Sequence, residues 1–146
     1  MSQPTQVDPR GLRVVAAVTA VVLAAVLVIP SEPVRLVLLA LQVAVFAVAG
    51  LIGLHRSPYA IFYATLVRPR LGPPDELEDA RPPRFAQLVG LAFTTTALVA
   101  LLAGATTVAL VATTFALVAA LLNAAVGLCL GCEMYLVLRR LAPSGA

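Results

Sequence analysis

The chain has two cysteines, Cys129 and Cys132, three positions apart in a Gly-Leu-Cys-Leu-Gly-Cys-Glu segment. They end the longest apolar stretch of the sequence and come shortly before Arg139 and Arg140. A C-x-x-C pair can pass between dithiol and disulfide, and it can exchange with the thiols of a soluble partner where that partner reaches it. Together with the neighbouring Glu133, the two cysteines are the candidate catalytic residues.

The amino-acid composition indicates whether this chain lies in water or in a lipid bilayer. Of its 146 residues, 61% are hydrophobic and 12% charged, whereas soluble domains have about 25% charged residues. A soluble protein of this size has too little interior for so much apolar side chain, so the sequence predicts an all-α protein within a lipid bilayer. The net charge of +3 is too small to indicate nucleic-acid binding. The sequence has no glycine-rich phosphate loop, and we expect no cofactor.

Four segments are long and apolar enough to span the hydrocarbon core, at about 12–29, 34–54, 85–103 and 107–130. Short turns separate the first from the second and the third from the fourth. The sequence therefore predicts four transmembrane helices as two hairpins, joined by a loop at 55–84. The first span could instead be a cleaved signal peptide, but the small residues of a cleavage site are missing, which favours an uncleaved span.

The arginines predict the orientation. All ten basic residues are arginine, and all except Arg35 lie at the termini or in and beside the central loop. Arginine and lysine concentrate on the cytoplasmic side of membrane proteins. We therefore expect a multi-pass protein of the inner (cytoplasmic) membrane, with both termini and the loop at 55–84 in the cytoplasm.

The loop carries one periodic pattern. Tyr59, Phe62, Tyr63 and Leu66 follow Pro58 at spacings that place them on one stripe of a short helix. Aromatic residues beside a span favour the lipid–water interface, so this helix is predicted to lie flat on the headgroups. The alternative is a helix that packs on a partner protein.

Several motifs together resemble a known family. They are Asp-Pro-Arg at 8–10, Leu-Gly-Pro-Pro-Asp-Glu-Leu-Glu-Asp at 71–79, Pro-Pro-Arg-Phe-Ala-Gln at 82–87 and Cys-Leu-Gly-Cys at 129–132. In this combination the chain resembles the bacterial integral-membrane family called domain of unknown function 4395. The family has no defined activity. The resemblance implies an association with thioredoxin-like and rhodanese-like proteins, and so a cytoplasmic thiol or sulfur-carrier partner.

Two geometries are open for the cysteines. On an unbroken helix they share a face, Glu133 can reach Cys129, and Asn123, Gly127 and Gly131 form a close-packing surface for a neighbouring helix or a second copy of the chain. If the helix breaks at Gly127, the cysteines instead lie at the start of a new helix, whose dipole favours a thiolate. The sequence fits both arrangements.

Two classes of function follow. The first is thiol–disulfide exchange or sulfur transfer at Cys129 and Cys132 with a soluble thioredoxin-like or rhodanese-like partner. The second is a non-catalytic membrane scaffold or subunit whose loop at 55–84 docks a partner. A zinc site needs about four ligands. Cys129, Cys132 and His55 are three weak candidates and Glu133 is a possible fourth ligand, so no metal is predicted.

Overall fold

The computed structural model describes residues 6–142. Four of its helices are long and apolar enough to cross a membrane, which confirms the predicted multi-pass membrane protein. In chain order the elements are β1 (Gln6–Val7), α1 (Pro9–Val28), α2 (Glu32–Ala47), a π-helical turn (Val48–Ile52), a 3₁₀ turn (Leu54–Arg56), α3 (Pro58–Phe62), a second π-helical turn (Tyr63–Val67), α4 (Arg68–Leu71), β2 (Glu78–Asp79), α5 (Arg81–Leu102), α6 (Thr106–Val126) and α7 (Leu130–Leu141).

Local signals explain where the spanning helices begin. Asp8 is the N-cap of α1 and accepts a hydrogen bond of 2.9 Å from the Arg10 amide, with proline at the first helical position. Helix α5 begins at Arg81, earlier than the predicted residue 85. Its prolines, Pro82 and Pro83, occupy the first turn, where a missing N–H leaves no helical hydrogen bond unmade. They start the helix rather than separate it from the loop.

The spanning helices close a ring of contacts in the order α1, α2, α5, α6, with α6 returning to α1. One buried cluster is built largely of alanines, whose small side chains let membrane helices approach closely. Its members are Val26, Leu39, Ala97, Ala100, Leu101, Ala109 and Ala112. Large apolar side chains such as Val21 and Leu102 are exposed on the outside of the bundle, as expected of a surface that faces lipid.

The segment at 58–71 is tied to the start of α1 through Tyr63. This side chain is 5% exposed, and its ring lies where a side chain on Gly11 would stand. Its hydroxyl donates a hydrogen bond of 2.6 Å to Asp8, which also accepts from Arg10. Burial raises the pKa of Asp8, but the hydrogen bonds from Arg10 and Tyr63 outweigh burial and leave the pKa below its usual 3.8.

The predicted aromatic stripe is divided between two environments. Tyr59 also turns inward, and its hydroxyl donates a hydrogen bond of 2.8 Å to the buried Gln42, whereas Phe62 and Leu66 remain exposed. The π-helical turn at Tyr63–Val67 shifts the helical register within the stripe. In addition, a buried tyrosine hydroxyl needs a hydrogen-bond partner, which the bundle supplies. Both tyrosines therefore anchor this segment to the protein.

A short ladder joins the segment before α1 to the end of the loop at 55–84. Strand β1 pairs antiparallel with β2, with Gln6 opposite Asp79 and Val7 opposite Glu78. Asp79 also forms an exposed salt bridge of 2.7 Å with Arg81. Hydrogen bonds from Arg81 lower the pKa of Asp79 to about 2. The ladder holds the segment before α1 beside the segment before α5.

We predict that Asp8→Asn removes part of the acid sensitivity of the fold. Because the folded-state pKa of Asp8 is lowered, its contribution to stability is present above the unfolded pKa and is lost as pH falls through the folded value. The unfolding temperature of the detergent-solubilised protein, measured from about pH 7 to about pH 3, should fall less steeply in this variant. Asp75→Asn, at an exposed carboxylate, is the control, and equal slopes in the two variants would contradict the prediction.

Candidate functional site

The last spanning helix breaks at Gly127, which decides between the two geometries open to the cysteines. Gly127 has a φ of +74°, in the left-handed region that ends many helices. Its amide donates to the Asn123 carbonyl at 3.0 Å, and the Leu128 amide donates to the Leu122 carbonyl at 3.2 Å. The span therefore ends at Val126 rather than near residue 130.

The break places the cysteines at the start of α7. Cys129 is the N-cap, and its sulfur accepts a hydrogen bond of 3.2 Å from the Cys132 amide. The two sulfurs lie at disulfide distance, with the Cα atoms 5.1 Å apart. Both residues are half-buried. The two candidate sulfurs are therefore brought together at one end of the bundle.

The predicted face through Gly127 and Gly131 is wrong, because the two glycines do not share a helix. Nothing lies within 4 Å of a Cβ built on Gly127. Gly131 does lie at a close helix contact, where a Cβ would stand 2.6 Å from the Cα of Ala86 on α5. The rings of Phe85 and Tyr135 pack beside it, with centroids 5.6 Å apart. The close approach thus joins α7 to α5 of the same chain.

Arg13 satisfies the carbonyls at the end of α6. Its guanidinium donates to the carbonyls of Ala124 and Ala125 at 3.1 and 3.0 Å. The last carbonyls of a helix have no partner within the helix, and a cation there also complements the helix dipole. The sequence assigned Arg13 only to the cytoplasmic side and carried no signal for its partner.

The remaining candidates have separate positions. Glu133 is exposed in the first turn of α7, and its amide donates to the Cys129 carbonyl at 3.0 Å. His55 lies in the 3₁₀ turn and lines a different cavity from the one that the cysteines line. Within residues 6–142 no three histidine, cysteine or acidic side chains are grouped so that they could hold a metal ion. His55 is therefore not brought together with Cys129 and Cys132.

The structure adds a feature that the sequence did not reveal. A cavity of about 260 Å³ lies between α1, α2, α5, α6 and α7, and Cys129 and Cys132 are part of its wall. Gln87 also lines it, as well as the cavity of about 220 Å³ beside His55. The only sequence signal was a glutamine within a predicted span, which did not distinguish Gln87 from Gln42.

Comparison with known proteins identifies the family. The family model described as domain of unknown function (DUF4395) matches residues 7–140. The chain belongs to this family. Searches of curated proteins and of solved structures found no match. Because the family's description assigns no activity, the function has to be argued from the site.

We predict that Gly131→Val separates α7 from α5. The new side chain would collide with the backbone at Ala86, and overpacking of this kind costs about 1–3 kcal/mol. Denaturant unfolding in detergent should show this loss, with faster tryptic cleavage at Arg139. Gly127→Asn is the matched control, because asparagine tolerates a left-handed conformation and the site is open. An unchanged Gly131→Val protein would contradict the close contact.

We also predict that Arg13→Gln destabilises the end of α6. The shorter, uncharged side chain leaves the carbonyls of Ala124 and Ala125 without the charged donor, a loss of about 1–3 kcal/mol. Hydrogen exchange at the amides of 122–128 should accelerate. Arg56→Gln, at another exposed arginine, serves as the control, and equal exchange rates in both variants would refute the role of Arg13.

Proposed function

We propose that Cys129 and Cys132 cycle between dithiol and disulfide by exchange with a soluble thioredoxin-like partner. The observation that carries this proposal is the placement of both sulfurs at disulfide distance, in the N-terminal turn of a helix that follows the membrane-spanning bundle. Two cysteines that only fill space in a helix contact do not need to face each other at bonding distance.

The N-cap geometry supports different roles for the two sulfurs. When the disulfide opens, the sulfur of Cys129 lies at the helix N-terminus, next to the Cys132 amide. Helix N-termini and hydrogen-bond donors stabilise a thiolate. We therefore assign Cys129 as the thiolate that leaves when a partner thiolate attacks Cys132. In the reverse exchange with an oxidised partner, Cys129 is the attacking thiolate and Cys132 the resolving thiol. Glu133 is exposed beside them and opposes thiolate formation through its charge, so it tunes rather than performs the exchange.

The exchange transfers the disulfide from this chain to the partner, and atoms and electrons balance between the two proteins. A partner thiolate attacks one sulfur of the Cys129–Cys132 disulfide and forms a mixed disulfide. The second partner thiol then attacks that bond, so that the partner leaves oxidised and the chain holds two thiols. Two electrons and two protons pass from the partner to the chain. Sulfur transfer to a rhodanese-like partner needs a single persulfide-bearing cysteine, so the paired geometry favours disulfide exchange.

We further propose that this site faces the cytoplasm at the inner membrane, with the spans arranged as two hairpins and both termini on the cytoplasmic side. The arginine distribution supports this orientation. Helix α7 has an exposed apolar stripe at helical spacing and ends in Arg139 and Arg140, which suits a helix lying in the lipid–water interface. The stripe consists of Leu130, Met134, Val137 and Leu141. The exposed Phe62 and Leu66 suit the same interface.

We predict that Cys132→Ser traps a mixed disulfide between Cys129 and the oxidised form of a cytoplasmic thioredoxin-like protein, because the Cys129 thiolate attacks the partner's disulfide in the reverse exchange. Without the resolving thiol the adduct persists, and it should appear as a reductant-sensitive band on non-reducing gels. Cys129→Ser, which keeps a thiol but loses the N-cap sulfur, should form much less adduct, and the double variant none.

A scaffold would behave differently. If both cysteines of the folded, reduced chain resist small alkylating reagents, and the double serine variant retains the wild-type phenotype, the thiol proposal is wrong. The loop at 55–84 would then be the segment to test for docking.

A further inference from the structure

The cavity beside the disulfide has a polar end and an apolar end. Gln87 on α5 and Asn123 on α6 line it together with the two cysteines. Phe115 is eight residues before Asn123, or about 12 Å along α6, and Phe93 is six residues after Gln87, or about 9 Å along α5. Both steps lead away from α7 into the membrane-spanning part of the bundle. The cavity thus suits an amphiphile whose polar group lies at the sulfur end.

The apolar end has an opening toward lipid. Phe93 and Phe115 are 38% and 61% exposed, and their ring centroids are 6.2 Å apart. The inner wall is made of small buried residues, among them Ala16, Thr19 and Ala116. A narrow apolar chain could therefore leave the cavity beside two aromatic rings and continue in the bilayer.

The polar end holds an unsatisfied group. The side-chain oxygen of Gln87 is buried and has no hydrogen-bond partner among the described residues; the same holds for Gln42 Nε2 and Ser57 Oγ, which do not line this cavity. A buried amide oxygen without a partner is costly, and native proteins seldom retain one without a ligand or a role. A glutamine amide can accept a hydrogen bond from a hydroxyl through its oxygen and donate one to a carbonyl through its nitrogen.

Charge excludes the commonest membrane amphiphiles. Every residue that lines this cavity is uncharged. A phospholipid phosphate here would lack a compensating cation in a poorly solvated site, which is unfavourable. An uncharged, flat head with two hydrogen-bonding oxygens and an apolar tail meets no such penalty.

We propose that this cavity binds a membrane quinone, with the ring beside Cys129 and Cys132 and the tail leaving past Phe93 and Phe115. The quinone is the oxidant that restores the disulfide after the partner has reduced it, so this inference rests on the proposed thiol–disulfide exchange. The amide of Gln87 donates to a quinone carbonyl and accepts from a quinol hydroxyl.

The step is balanced. Two S–H bonds break and one S–S bond forms between Cys129 and Cys132, which releases two electrons and two protons. The quinone takes up both electrons and both protons, and its two carbonyl oxygens become the hydroxyls of the quinol. Over a full cycle the soluble dithiol is oxidised and the quinone is reduced.

The test uses the full chain in nanodiscs with a short-tailed ubiquinone as the probe. The pair is first reduced with a thioredoxin-like dithiol protein, and its redox state is read by thiol alkylation. The probe is then added, and both quinone absorbance and disulfide recovery are followed. We expect one quinol to form for each disulfide regained.

Two variants test the site. Ala119→Leu narrows the cavity and Gln87→Met removes the amide. Because each removes a hydrogen bond or the fit of the site, each should slow recovery of the disulfide by about tenfold or more. Ala17→Leu, on the exposed side of α1, should recover at the wild-type rate.

The outcomes separate the two proposals. A wild-type pair that the dithiol protein reduces but the quinone never reoxidises overturns the quinone site and leaves thiol exchange standing. A pair that no dithiol protein reduces refutes thiol exchange itself. Binding is measured apart from chemistry by photolabelling the double serine variant with an azido-ubiquinone. Labelling near Phe93 or Phe115 that unlabelled ubiquinone displaces supports the site, whereas displacement by an anionic phospholipid alone overturns it.

Discussion

The fold depends on how carbonyls at helix ends are satisfied where lipid offers no hydrogen-bond donor. Arginines from neighbouring helices do this at three places. Arg13 of α1 donates to the end of α6, Arg35 of α2 to Val26 of α1, and Arg84 of α5 to Gly50 and its neighbour in the π-helical turn that follows α2. Each bond joins two neighbouring segments of the ring, so Arg13 and Arg84, which contribute to the predicted orientation, also connect the helices of the bundle.

The position of the cysteines follows from one of these bonds. Helix α6 has 21 residues and is about 31 Å long, already enough to cross the hydrocarbon core. Arg13 binds the last carbonyls of α6, and Gly127 has a left-handed conformation, so the helix ends there. The next helix packs through Gly131 on α5, which turns the N-terminal sulfurs toward the bundle. An unbroken helix would have carried the cysteines away from this cavity.

Local patterns in the sequence predicted the membrane spans, but not the break at Gly127, the buried position of Tyr63 or the cavity. Hydropathy predicted four spans within a few residues, because it depends on residues adjacent in sequence. The break at Gly127 stayed open, since a glycine is compatible with both a close helix contact and a helix end. Tyr63 looked like an interfacial residue because its partner, Asp8, is distant in sequence. The cavity beside Gln87 depends on five helices at once, including α2 through Phe46, which no periodicity encodes.

The Cys129–Cys132 disulfide lies between an exposed surface and the uncharged cavity. On one side is the exposed Glu133, where a soluble protein would approach in the proposed orientation. On the other is an uncharged cavity that opens between aromatic rings toward lipid. A docking scaffold requires only the first side. A thiol pair that passes electrons from a soluble dithiol to a lipid-soluble acceptor requires both sides, because the two reactants never share a solvent. Only at the interface between water and bilayer can such a pair react first with the soluble dithiol and then with the lipid-soluble acceptor.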